Sequence, residues 1–206
     1  MIRAFIAIPL EDAARSAVIE VIDALRASWG LGKGAARNSA GKEGGITWVG
    51  RDGIHLTLKF LGSIDERDVL RAKGALDALK DMRSFRMDLC GIGAFPSAER
   101  PRVLWVGIRQ AGQVGALAGR VEESIGDINR EDRPFSAHIT IGRVRGTARA
   151  APASGYGPLE IARELWDDKT ISTSLVDRVV LFQSILGPGG AVYRSLHEGA
   201  LRKEAL

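Results

Sequence analysis

The chain has one cysteine, Cys90, in 206 residues. That excludes an intrachain disulfide and any zinc cluster built on paired thiols, and it suits a reducing compartment, the cytoplasm being the expected one. The residues around it, Met87 to Ile92, are mostly apolar, so a buried, inert thiol is expected. Long hydrophobic runs are also missing. The apolar stretch near the start, in MIRAFIAIPLEDAARS, is too short for a membrane helix and has no small-residue cleavage site behind a proper apolar core. It is read as a strand, and no membrane partner is expected. The sequence has no H-E-x-x-H and no cysteine partners for a metal, so no metal or cofactor is expected.

What is present reads as an ordinary globular protein: 45% hydrophobic, 26% charged, with a formal net charge of +4 that on its own says little about partners. The length fits one large domain or two joined lobes. Residues 30–45, GLGKGAARNSAGKEGG, are rich in Gly, Lys and Ser and are expected to be a flexible loop. They lack the Walker and G-x-G-x-x-G spacings, so they are not read as a phosphate cradle.

Periodicity predicts strands at Ile2–Ile8, Ile46–Val49, Ile54–Phe60, Phe85–Ile92, Val103–Ile108, Ala137–Arg143, Ile171–Thr173, Val176–Gln183 and Ala191–Leu196. It predicts helices at Glu11–Trp29, Asp65–Lys80, Gln113–Ile125 and Leu159–Trp166. A loop is expected over 146–158, and a turn at Gly187-Pro188-Gly189-Gly190. Strands and helices do not alternate strictly, which predicts an α+β fold with mostly antiparallel sheet. HLTLKF (55–60) and HITIGR (138–143) align without gaps, as a duplicated two-lobe fold would require.

Two of the three histidines begin a His-apolar-Thr-apolar pattern: His55-Leu56-Thr57-Leu58 and His138-Ile139-Thr140-Ile141. On a strand, His55 and Thr57 share one face while Leu56 and Leu58 enter the core, and the second motif repeats this. Two such strands side by side would offer two imidazoles and two hydroxyls to one cleft. That set suits phosphodiester hydrolysis. A neutral imidazole takes a proton from water, a protonated one delivers a proton to the departing sugar oxygen, and the hydroxyls hold the non-bridging oxygens. The pH profile is then expected to be bell-shaped across pH 5–9, where histidine normally titrates. A lone H-x-T would be read as structural; the repeat is what raises it. His197 lacks the pattern and is expected on the surface, and Trp105 and Phe60 are expected in the core.

At these residues the chain resembles the two-histidine (2H) phosphoesterases, specifically the bacterial and archaeal RNA 2′,3′-cyclic phosphodiesterases, historically called 2′-5′ RNA ligases. The similarity runs through Arg3–Ile8, Trp48-Val49, Ile54–Gly62, Gly93–Pro96, Arg102–Gly107, Arg133-Pro134-Phe135, His138–Arg143, Leu181–Ser184 and Gly190–Tyr193. It departs at Ala137, where the family usually has Pro, at Ile141-Gly142, where it usually has Leu-Ala, and in the glycine-rich loop at 30–45, which is longer than usual for the family. The resemblance implies two lobes about a pseudo-twofold, with antiparallel sheets lining a cleft and helices outside. It implies His55 as proton donor to the leaving 3′-oxygen and His138 as the base that activates water, leaving a 2′-phosphate end.

It further implies Arg143 as a phosphate contact, although simple alternation turns Arg143 away from His138, so a bulge or strand end is needed. Phe135, just before the second motif, is a candidate for base stacking, with core packing as its alternative. Arg143, Arg145 and Arg149 are either an RNA-backbone track or a solvated loop. The expected partner is an RNA with a 2′,3′-cyclic phosphate end, acted on by a monomer, with reverse 2′-5′ ligation as a side activity. The alternatives are a related esterase for small cyclic nucleotides or ADP-ribose cyclic phosphate, and a non-catalytic RNA-binding module.

Overall fold

The protein is described from a computed structural model; the described residues are 1–30, 45–98, 100–130, 133–144, 166, 169–187 and 190–203. The strands are β1 (Ile2–Pro9), β2 (Ile46–Trp48), β3 (His55–Ile64), β4 (Phe85–Phe95), β5 (Val103–Arg109), β6 (His138–Val144), β7 (Thr170–Val176), β8 (Arg178–Gly187) and β9 (Gly190–Ala200). The helices are α1 (Asp12–Gly30), α2 (Glu66–Asp77) and α3 (Gly112–Ile125). The fold is α+β, as expected. The predicted loop at 146–158 and most of the predicted 30–45 loop and Leu159–Trp166 helix lie outside the described residues, as do Arg145 and Arg149.

The elements form where the sequence pattern places them, and most strands run longer than their apolar cores. Asp65 caps α2, its carboxylate accepting the Asp68 N–H at 2.9 Å. The helix stops at Asp77, short of the predicted Lys80, and a 3₁₀ turn, Ala78–Asp81, carries the chain on. Gly187 pairs with Gly190, so β8 and β9 form a hairpin across the predicted turn.

The strands join one sheet in the order β7-β4-β5-β6-β3-β1-β8-β9, with β2 alongside β6, and every ladder between named strands is antiparallel. Read outward from the middle, the halves correspond. β3 is flanked by β1 and then β8; β6 is flanked by β5 and then β4. In each half a strand and a helix, β1-α1 or β5-α3, precede the histidine strand. Val18, Ile22 and Leu25 of α1, Leu76 of α2 and Leu117 and Val121 of α3 join Ile6, Leu56, Leu104 and Ile139 of the sheet in one core. Among the described residues no helix is long and apolar enough to cross a membrane.

One sequence expectation is corrected here: Cys90 is half-buried rather than buried. His197 lies at the surface, as expected, where its Nε2 is 2.7 Å from Asp77 Oδ1 and ties β9 to α2.

Candidate active site

β3 and β6 are the central neighbours, yet they are in register at a single position, Leu56 opposite Ile139. Both residues are fully buried. Counting outward in antiparallel sense, each histidine stands across from the other motif's threonine, so the four polar side chains lie together on the face opposite the core. The structure brings His55, Thr57, His138 and Thr140 to the lining of one cleft of about 690 Å³.

The two strands have the same burial sequence over their first seven residues, half-buried at His and Thr, buried at the third and fourth residues after His, and exposed at the fifth. The cause is a bulge at the same place in each. Thr57 pairs with Ala7 and Lys59 with Ile6, leaving Leu58 over; Thr140 pairs with Trp105 and Gly142 with Leu104, leaving Ile141 over. Each extra residue reverses the facing of those after it. Arg143 therefore faces the cleft with His138, which strict alternation denies it, and it lines the cleft wall.

The same bulge turns Lys59 inward and Phe60 outward. Lys59 is 3% exposed, and its charge is met by Glu122 of α3 and by the Asn129 carbonyl at 3.2 Å. Phe60, expected in the core, is 47% exposed and lines the cleft. It is the counterpart of Arg143, five residues after its histidine. The gapless match of HLTLKF to HITIGR held that signal. Phe135, by contrast, is 40% exposed and belongs neither to the core nor to the cleft lining.

Both imidazoles are fixed by the carbonyl two residues earlier. His138 Nδ1 donates to the Ser136 carbonyl at 2.7 Å, and the Gly53 carbonyl accepts from the His55 ring. For His138 this bond sets the tautomer and leaves Nε2 for the cleft. Aromatic rings hold the orientation. His55 stacks on Phe5 at 4.9 Å between centroids and meets Tyr193 edge-on at 5.2 Å, while Phe182 backs Phe5 at 5.4 Å. His138 meets Phe95 edge-on at 5.0 Å, with Trp105 behind Phe95 at 5.4 Å. Trp105 is half-buried, and it lies so flat on β4 that a Cβ at Gly93 would fall 2.2 Å from its ring. These supporting aromatics were not visible as such in the sequence, because strand aromatics are ordinary core residues until the pairing is known.

Burial among those rings lowers the His55 pKa to about 4; the bond to Gly53 opposes the shift, and the Arg143 charge adds to it. The described cleft lining includes Arg3 and Arg143 and no carboxylate, so the site is built for an anion. Among the described residues no group of three His, Cys, Asp or Glu side chains is placed to hold a metal ion.

A sheet with this central strand pair and this four-residue site defines a two-histidine phosphoesterase. Residues 35–105 match the family model described as LigT like Phosphoesterase. The chain is 30% identical over 195 residues to the RNA 2′,3′-cyclic phosphodiesterase of Archaeoglobus fulgidus, covering 94% of this chain and 97% of that one. It is 34% identical over 150 residues to the enzyme of the same name from Aeropyrum pernix, covering 71% and 81%. The chain belongs to the LigT-like family of RNA 2′,3′-cyclic phosphodiesterases. Its fold is similar to that of TT0787 from Thermus thermophilus, with a TM-score of 0.71, 28% identity, and 98% of this chain and all of that one covered. It is also similar in fold to E. coli LigT, with a TM-score of 0.68, 24% identity and 98% of each chain covered.

Proposed function

We propose that this protein hydrolyses RNA 2′,3′-cyclic phosphate ends to 2′-phosphomonoester ends, acting as a cytoplasmic monomer whose residues 1–206 form one domain of two lobes. The observation that carries the reading is the pair of His-x-Thr strands meeting at Leu56 and Ile139, which turns both imidazoles and both hydroxyls toward one cleft with no carboxylate among its described lining residues. The activity of the curated relatives agrees with it. The lone cysteine supports the compartment.

In this mechanism Thr57, Thr140 and Arg143 hold the non-bridging phosphate oxygens. His138 Nε2 takes a proton from water as its oxygen attacks phosphorus. The P–O3′ bond breaks, and His55 gives its proton to O3′, which becomes the 3′-hydroxyl. The proton on His138 returns to His55 through solvent. Burial and the Arg143 charge keep His55 neutral at pH 7 before substrate binds, so its acid role requires the bound phosphate anion, which offsets Arg143 and favours the imidazolium. A 5′-hydroxyl in place of water would form a 2′-5′ linkage by the same steps.

The test is to incubate the purified protein with EDTA and a short RNA ending in a 2′,3′-cyclic phosphate and to identify the end formed. A 2′-phosphate end, made at the same rate with and without chelator, is expected. Loss of turnover on chelation, restored by one metal ion, would defeat the two-histidine account.

The threonines give a second measurement. Thr57→Val or Thr140→Val removes a hydroxyl at nearly constant volume and deletes a hydrogen bond to a charged oxygen, worth about 1.5–3 kcal/mol. kcat/KM is expected to fall roughly 10- to 100-fold while both limbs of the pH profile stay in place, because threonine does not titrate there. Wild-type kcat/KM in both variants would remove the hydroxyls from the mechanism.

A further inference from the structure

We infer that Arg3 determines specificity by binding the phosphodiester on the 5′ side of the terminal nucleotide, so that the cleft favours an oligonucleotide over a cyclic mononucleotide. The inference rests on the proposed reading of the cleft as the site of cyclic-phosphate hydrolysis. Along β1, alternate residues face the cleft side, and the register places Ala7 beside Thr57, Phe5 beside Phe60 and Arg3 beside Ser63. Ala7 therefore marks the end where the cyclic phosphate is held, and Arg3 stands four residues away. At a strand rise of about 3.4 Å per residue, its backbone is roughly 13 Å further along the sheet.

Phe60 lies between, 47% exposed and in the lining of the same cleft. An exposed ring beside a phosphate site offers a face on which a nucleobase can stack. In a nucleotide the C5′ arm leaves the ribose on the side away from the 2′,3′ edge. With the cyclic phosphate at the threonines and the terminal base on Phe60, that arm runs toward Arg3. A nucleoside 2′,3′-cyclic phosphate carries its only charge at the histidine end and presents nothing to Arg3. One further nucleotide presents a phosphodiester.

Arg3 is free to take it. Its residue is exposed, lines the cleft, and makes no ion pair or side-chain hydrogen bond among the described residues, and the described cleft lining contains no carboxylate to compete for it. A guanidinium offers two parallel N–H donors to a phosphate, a geometry that lysine lacks.

The experiment compares kcat/KM for adenosine 2′,3′-cyclic phosphate and for a diadenosine dinucleotide ending in a 2′,3′-cyclic phosphate. It uses the wild type, Arg3→Gln and Arg3→Lys. The dinucleotide-to-mononucleotide ratio is expected to fall on the order of tenfold in Arg3→Gln, mainly through KM, and less in Arg3→Lys. The logarithmic salt dependence for the dinucleotide should flatten by roughly 0.7 in Arg3→Gln, the loss of one phosphate contact on a single strand. A ratio unchanged in Arg3→Gln overturns the inference, whether both substrates suffer or neither does. Calorimetric binding of the 3′-phosphorylated dinucleotide against adenosine 3′-phosphate asks the same question without turnover. Should the wild type hydrolyse neither cyclic substrate, the proposed function fails, and the ratio of these two affinities in wild type and Arg3→Gln still decides the role of Arg3.

Discussion

His55→Ala and His138→Ala are each expected to lower turnover of an RNA 2′,3′-cyclic phosphate by on the order of 10²–10⁴ while leaving the fold intact. The size follows from the separate tasks of the two rings. In the proposed mechanism one imidazole removes the proton from water and the other supplies the proton to the leaving oxygen, so neither covers for the loss of the other. Folding should survive because both side chains lie at the cleft, outside the buried core that Leu56, Leu58, Ile139 and Ile141 join. The double variant should be little worse than the worse single one, since groups that act as a unit are not additive. Circular dichroism and single-turnover kinetics on the same samples check this. A folded single variant with near wild-type turnover would sink the two-histidine mechanism.

Acid is expected to act on this protein twice through His55. The first effect is on catalysis. kcat/KM reports the free protein, and the active form carries one proton on the histidine pair, so the profile is a bell whose limbs belong to the pair. With the His55 pKa near 4, the acid limb should lie near pH 4, below the ordinary histidine range in which composition alone would place it. Arg143→Gln removes a charge that holds this pKa down, and its acid limb should move up. Measured from pH 3.5 to 9, an acid limb at about 6.5 in both proteins would reject the assignment.

The second effect is on stability. The fold prefers neutral His55, whereas the unfolded chain protonates it near 6.5. The stabilisation is therefore complete above about pH 6.5 and lost progressively as the pH falls to about 4, by on the order of 3 kcal/mol. Carboxylates titrate in the lower part of the same window, so the comparison is between the wild type and His55→Asn. The denaturant midpoint of the wild type should fall more between pH 7.5 and 4.5 than that of the variant. Equal falls would mean that His55 is not held neutral by the fold.

The two motifs, their shared facing and the burial of the residues between them were legible in the sequence, because a strand's period of two needs no partner to define it. So were the antiparallel α+β fold and the correspondence of the two halves. The expected facing failed one residue past the motif, at Lys59 and Gly142, where bulges reverse the alternation. A bulge is a property of two paired strands, and its place is set by the neighbour's register rather than by local composition.

Composition and spacing by themselves supplied the candidate residue types, two histidines and two threonines in matching motifs, and excluded paired thiols. Tertiary structure alone decided that Arg143 and Phe60 face the cleft, that Phe135 does not line it, and that rings from β1, β4, β8 and β9 clamp the imidazoles. It also decided that burial lowers the His55 pKa. The physical reason is common to all of these: facing along one strand is local, whereas burial, charge proximity and ring contacts depend on which strands become neighbours.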